Sequence, residues 1–165
     1  MELNLLPILN FDGKKMTVSE NISLSTSKND TFQITAPVRV DAVAVNAGGT
    51  IELTGNAAAN IRLTCDRCAE AFDTVVEFEI DERFKKEDPF SDEDENPDII
   101  TLTGTSVDLA EVVYTNLFMN LPSKNLCSED CKGLCPVCGK NLNNGECGCK
   151  TETTDPRFDI LDKLL

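Results

Sequence analysis

Apolar and polar side chains alternate most regularly between residues 51 and 65. Ile51, Leu53, Gly55, Ala57, Ala59, Ile61, Leu63 and Cys65 fall on one face of a period of two, and Glu52, Thr54, Asn56, Asn60, Arg62 and Thr64 fall on the other. Alternation held this long predicts one half-buried strand. Gly55 and the small alanines beside it predict a bend or a close backbone approach midway. Phe72, Thr74, Val76, Phe78, Ile80 and Phe84, opposite Asp73, Glu77 and Glu79, predict a second strand. The two form a hairpin whose tip carries Cys65 and Cys68.

Weaker patterns flank this hairpin. Residues 1–9 read as a short strand interrupted at Pro7, which points to an edge position. Phe11-Asp12-Gly13-Lys14 is turn chemistry, and the polar stretch from Thr17 to Ser27 supports no assignment. Phe32, Ile34 and Thr35 predict a strand ending at Pro37; Val38–Val45 predicts another, closed by a turn at Asn46-Ala47-Gly48-Gly49. Ile99–Leu102 reads as a short strand.

Thr105-Ser106-Val107-Asp108 opens a helix, with a hydroxyl cap and an acid in the first turn. Leu109, Val112, Val113, Leu117 and Leu121 keep helical spacing, Tyr114 and Phe118 widen the stripe, and Glu111, Thr115 and Asn116 face away. The stripe is that of a core-packed helix, ended at Pro122. Asp155-Pro156 then starts a last short helix carrying Phe158, Ile160, Leu161, Leu164 and Leu165.

These elements imply an α+β fold: an antiparallel β-rich domain with one packed helix, and a C-terminal module that the close-set cysteines from Cys127 to Cys149 mark as zinc-stapled. In chain order they give an antiparallel β-rich region over 1–86, an acidic loop over 87–98 and a strand with the packing helix over 99–122. A cysteine-rich zinc module follows over 123–150, and the short helix over 151–165. No internal repeat is detectable.

The cysteines change the picture from a plain β domain. Six of the eight, Cys127, Cys131, Cys135, Cys138, Cys147 and Cys149, lie in one short stretch, and Cys65-Asp66-Arg67-Cys68 lies far upstream. Cys135-Pro136-Val137-Cys138-Gly139 has the form of a metal knuckle, because two intervening residues let both sulfurs converge on one ion. Zinc suits all-thiolate tetrahedral sites best, with iron–sulfur as the softer runner-up. A disulfide framework is the alternative. Met1-Glu2-Leu3-Asn4 lacks the basic start and apolar run of a secretory leader, which places the thiols in a reducing compartment and favours metal. Residues 122–150 offer only Leu126, Leu134, Val137 and Leu142 as sizeable apolar groups, so metal would supply most of the folding energy there.

Two groupings compete. In one, Cys135, Cys138, Cys147 and Cys149 hold one ion while Cys65, Cys68, Cys127 and Cys131 hold a second that ties hairpin to module. In the other, the module closes on one ion and Cys65 and Cys68 stay a free dithiol. The two-zinc grouping is preferred. Its weak point is Cys147-Gly148-Cys149, where a single residue between ligands is an awkward span and one thiol could be spare.

Charge narrows the partners. The 165-residue chain carries a formal charge of −14 and a pI near 4.3, and filling two all-thiolate zinc sites would take it four units lower. Such a chain suits a basic protein partner better than nucleic acid. The acidic run from Glu87 to Asp98 reads as a solvated loop. No apolar run approaches the ~20 residues a membrane span needs, so a cytoplasmic chain with no membrane contact is expected. With no histidine, no phosphate-binding loop and closed thiolate sites, neither catalysis nor a small-molecule substrate is expected.

Four stretches, taken together, resemble the YceD-like family, the bacterial large ribosomal RNA subunit accumulation proteins. They are Leu63-Thr64-Cys65-Asp66-Arg67-Cys68 with Phe72, and Val107-Asp108-Leu109 through Leu121-Pro122. The other two are Cys127-Ser128-Glu129-Asp130-Cys131-Lys132-Gly133-Leu134-Cys135-Pro136-Val137-Cys138-Gly139 and Asp155-Pro156-Arg157-Phe158. The cysteine-rich form is similar to that of Gram-positive, clostridia-like bacteria. The resemblance implies a non-enzymatic role in large-subunit (23S) ribosomal RNA accumulation and ribosome biogenesis. Its implied partners are a basic large-subunit ribosomal protein or a pre-ribosomal particle.

Two other functions compete with this one. Lys124, Lys132, Lys140 and Lys150 would let the zinc module bind ribosomal RNA directly. Alternatively, Cys65 and Cys68 would form the dithiol of a thiol oxidoreductase, against which stands their place between two strands rather than at a helix start.

Overall fold

The computed structural model describes residues 1–26, 31–86 and 98–150. The chain divides into two compact units. One takes residues 1–63 and 73–123, and the other takes 64–72 and 124–165.

The first unit is built on the long hairpin that the alternation predicts. Strands β2 (Lys15–Ile22), β3 (Phe32–Ile34), β4 (Val38–Ala47), β5 (Thr50–Thr64), β6 (Ala71–Lys86) and β7 (Ile99–Leu102) form a six-stranded sheet. Its order is β2-β4-β5-β6-β7, with β3 also beside β5. Because β5 is long, it serves two partners: β4 pairs antiparallel along its first part, with Val40 opposite Ala57, and β3 pairs farther on, with Phe32 opposite Leu63. The sheet is antiparallel at these pairings and at β2–β4, and parallel where Arg83 of β6 faces Ile99 of β7.

Period-two burial follows the sequence pattern closely. Val38, Val40, Ala42 and Ala44 of β4 are buried with Ile51, Leu53, Ala57, Ala59, Ile61 and Leu63 of β5. Phe78, Ile80 and Phe84 continue that face on β6, and each such side chain contributes roughly 1.5–3 kcal/mol by leaving water. At Gly55 a Cβ would overlap the Ala42 Cα and the Asp41 carbonyl, so the expected close backbone approach is real. On the opposite face Arg62 makes a two-pronged ion pair with Asp73 at 2.8 Å, and the guanidinium holds that carboxyl below its ordinary range.

Helix α2 (Leu109–Met119) buries Leu109, Val112, Val113 and Leu117, the spacing that the sequence predicts. Two details differ. The cap is the Asp108 carboxylate, accepting the Ala110 N–H at 3.0 Å, and not a hydroxyl. Ser106–Asp108 instead forms strand β8, which pairs with β1 (Glu2–Asn4) in a separate two-stranded sheet. Phe118 lies 57% exposed and so does not extend the buried stripe.

The N-terminal strand stops at Asn4. Leu6–Leu9 forms a single helical turn, α1, with Pro7 in its first positions, where a missing N–H costs nothing. The turn is held by Asn46, which the sequence assigns to a turn but which is the penultimate residue of β4 and is only 2% exposed. Its side-chain amide donates to the Ile8 and Leu9 carbonyls at 2.8 and 2.9 Å, and its oxygen accepts from the Gly49 N–H.

Among the described residues no helix is long and apolar enough to cross a membrane. The acidic stretch, apart from Asp98, and the predicted last helix lie outside the described residues.

Candidate metal centre

Among its described residues the second unit has little apolar interior, so those side chains must be organised by something other than a large hydrophobic core. Leu134 and Val137 are 40% and 65% exposed. What it gathers instead is sulfur. Cys65, Cys68, Cys127 and Cys131 place their thiols within 4.8 Å of one another, and so do Cys135, Cys138, Cys147 and Cys149. All eight cysteines are free thiols.

Four backbone hydrogen bonds build the two C-x-x-C loops as copies of one knuckle. In the first, Ala69 N–H donates to the Cys65 carbonyl at 2.9 Å, and Cys65 N–H donates to the Glu70 carbonyl at 2.9 Å. In the second, Gly139 N–H reaches the Cys135 carbonyl at 2.8 Å, and Cys135 N–H reaches the Lys140 carbonyl at 2.9 Å. The residue after each second cysteine is left-handed: φ is 58° at Ala69 and 71° at Gly139. The sequence shows no repeat here because only the cysteines and their spacing are shared.

Electrostatics follow from the knuckle. The Cys65 thiol is lowered to about 6, chiefly by the Cys127 N–H, with the Cys68 and Arg67 N–H groups assisting against burial. Backbone N–H groups of Cys138 and Val137 bring Cys135 to about 6 in the same way. Cys127 is pushed up to about 12, because its thiol donates to the Cys131 sulfur, and Cys149 to about 12, because it donates to Cys138. Each cluster thus sets a lowered thiol beside a raised one, and a divalent cation could displace the protons of all four.

The spacing fits such a cation. Tetrahedral thiolates at ~2.3 Å from zinc stand ~3.8 Å apart. Cys65 and Cys131 sulfurs are 3.8 Å apart, and those of Cys68 and Cys127 are 3.7 Å apart. Gly148, with φ at 71°, turns the chain so that Cys147 and Cys149 both join the second cluster despite the single residue between them. The structure gathers Cys65 and Cys68 with Cys127 and Cys131, and each of the two tetrads could hold a metal ion.

Polar neighbours brace the first cluster. Asn143 Nδ2 donates to the Cys131 sulfur at 3.3 Å while its oxygen accepts the Lys132 N–H at 2.8 Å. Arg67 donates to the Glu129 and Cys131 carbonyls, both at 3.0 Å, and Asp66 accepts the Asn125 N–H at 2.8 Å. Phe72 and Leu126 pack against the three buried thiols. Sequence reasoning missed Asn143 and Arg67, since neither is a metal ligand by type. The four module lysines, Lys124, Lys132, Lys140 and Lys150, are all exposed.

Comparison with known proteins adds three findings. Residues 53–165 match the family model described as large ribosomal RNA subunit accumulation protein YceD. Uncharacterized proteins of Mycobacterium bovis and Mycobacterium tuberculosis (strain H37Rv) are each 28% identical over 151 residues, covering 83% of this chain and 72% of theirs. No solved structure matches the chain.

Proposed function

The chain belongs to the YceD family, and on that premise we propose that it is a non-catalytic zinc protein promoting large-subunit ribosomal RNA accumulation and ribosome assembly in the cytoplasm. The family match over residues 53–165 carries the ribosomal part of this reading. The sulfur spacing supports the metal part: two four-thiol sets suit two Zn2+ ions, held by Cys65, Cys68, Cys127 and Cys131 and by Cys135, Cys138, Cys147 and Cys149. Four thiolates close each coordination sphere, so zinc there would be structural and no reaction is assigned to it.

The formal charge of −14 supports a basic large-subunit ribosomal protein, or a pre-ribosomal particle exposing one, as the partner. Direct RNA contact through Lys124, Lys132, Lys140 and Lys150 is the second reading, favoured by their exposure on one small unit. The oxidoreductase reading has no geometric support, because Cys65 and Cys68 sit between strands and share their cluster with two further thiols.

Depleting the protein in cells that carry it tests the reading. The ratio of mature large-subunit to small-subunit ribosomal RNA should fall, with free large subunits lost from sedimentation profiles. An unchanged ratio would overturn the ribosomal role. Charge reversal of the four lysines should leave the ratio intact if the partner is a protein, and lower it if they hold RNA.

A further inference from the structure

The two thiol clusters differ in the features that govern how fast a bound ion can leave. In the first, Cys65, Cys68 and Cys131 are 1%, 3% and 5% exposed, with Phe72 and Leu126 packed against them. In the second only Cys135 is buried, at 2%; Cys138 is exposed, and Cys147 and Cys149 are partly so. The apolar neighbours of that second knuckle, Leu134 and Val137, point to solvent instead of covering it. Side-chain bracing is unequal too: Asn143 sits in the loop between Cys138 and Cys147, yet its amide donates to Cys131 of the first cluster.

An ion leaves an all-thiolate site by ligand exchange. An incoming donor must reach the metal, and thiolates must swing away one at a time. A hydrophobic shell blocks the first step and packed, hydrogen-bonded ligands resist the second. The ligand span acts in the same direction. Cys65 and Cys131 belong to segments 66 positions apart, each fixed by further bonds such as Leu134 N–H to the Arg67 carbonyl. The second set comes from residues 135–149 alone, a single short loop whose bonds to the rest of its unit run through residues such as Leu142 and Asn143 and not through its cysteine side chains.

We propose that Cys135, Cys138, Cys147 and Cys149 form an exchangeable metal site, while Cys65, Cys68, Cys127 and Cys131 keep their ion. Residues 135–149 are then a metal-responsive lobe, ordered when zinc is plentiful and opened when a competing thiol or nitrogen donor removes it. The exchange involves no electron transfer: the acceptor takes the divalent ion and solvent protons return to the freed thiolates. The inference rests on the zinc reading above.

The test mixes the zinc-loaded full-length protein with excess pyridylazoresorcinol and follows the coloured zinc complex. One ion should leave in a fast phase and one in a slow phase, at least about tenfold apart. Cys149→Ser should abolish the fast phase and spare the slow one. Cys127→Ser, at the exposed ligand of the first cluster, should abolish the slow phase and spare the fast one. Limited proteolysis after the fast phase should cut between residues 136 and 148 and leave 65–68 and 127–131 intact. Two ions leaving together, or a fast phase lost in Cys127→Ser and kept in Cys149→Ser, would overturn the inference while leaving zinc binding standing. Protein that neither contains nor takes up zinc would sink the zinc reading itself.

Discussion

Ala69 occupies a conformation that its own side chain disfavours. It is the one non-glycine residue with positive φ among those described, at 58°, and it fills the place that Gly139 fills in the second knuckle. A Cβ in the left-handed region costs roughly 1–2 kcal/mol, offset in part because glycine is freer in the unfolded chain. Ala69→Gly should therefore raise stability by up to about 1 kcal/mol, seen as a higher thermal midpoint at unchanged zinc content. A lower midpoint would mean that the methyl group makes a contact worth more than the strain. The spacing of the cysteines was legible from sequence because it is chemistry written directly in residue types. Ala69 was not, since alanine gives no sign of an unusual backbone, and neither was Asn143, whose role depends on a fold that brings it to Cys131.

Elements were legible wherever a period ran long enough to exclude the alternatives. Strands β5 and β6 hold their alternation across a face that Phe78, Ile80 and Phe84 anchor, and helix α2 keeps Leu109, Val112, Val113 and Leu117 buried as its spacing implies. Some short elements escaped, although the strands Phe32–Ile34 and Ile99–Leu102 did not. Four apolar-rich residues from Leu6 to Leu9 carry no period, and they turn helical because Asn46, distant in sequence, accepts the task of satisfying their last carbonyls. Pairing with β1 likewise draws Ser106–Asp108 into a strand that the chain's local capping chemistry does not foretell. Asn46→Ala would remove the amide shared by the Ile8 and Leu9 carbonyls, of which Ile8 keeps the Phe11 N–H, a loss of about 1–3 kcal/mol. Denaturant titration should show the lower midpoint, and hydrogen exchange should quicken first at the Leu9 amide, which closes that turn on the Leu5 carbonyl. Unchanged exchange there would mean that α1 stands without Asn46.

The molecule as a whole divides its means of support between its two units. Residues 1–63 and 73–123 contain a conventional apolar core, whereas 64–72 and 124–165 contain two thiol clusters and little else that is buried among the described residues. On the zinc reading, treatment with a strong chelator under reducing conditions should abolish protection in residues 124–150 and leave the β-sheet circular dichroism largely intact, with refolding on zinc return. Loss of the sheet signal in parallel would show that the first unit depends on metal as well. The division also cuts across the order of synthesis. Cys65 is made 66 positions ahead of Cys131, which at the ribosome's pace of 5–20 residues per second is a wait of about 3–13 s. For that interval a nascent chain carries half a binding site, two unpaired sulfurs on an emerging hairpin, while the later cluster is finished almost as soon as it is begun. If the first cluster is the one that keeps its ion, the more durable clamp is also the one whose thiols wait longest, reduced, for their partners during translation.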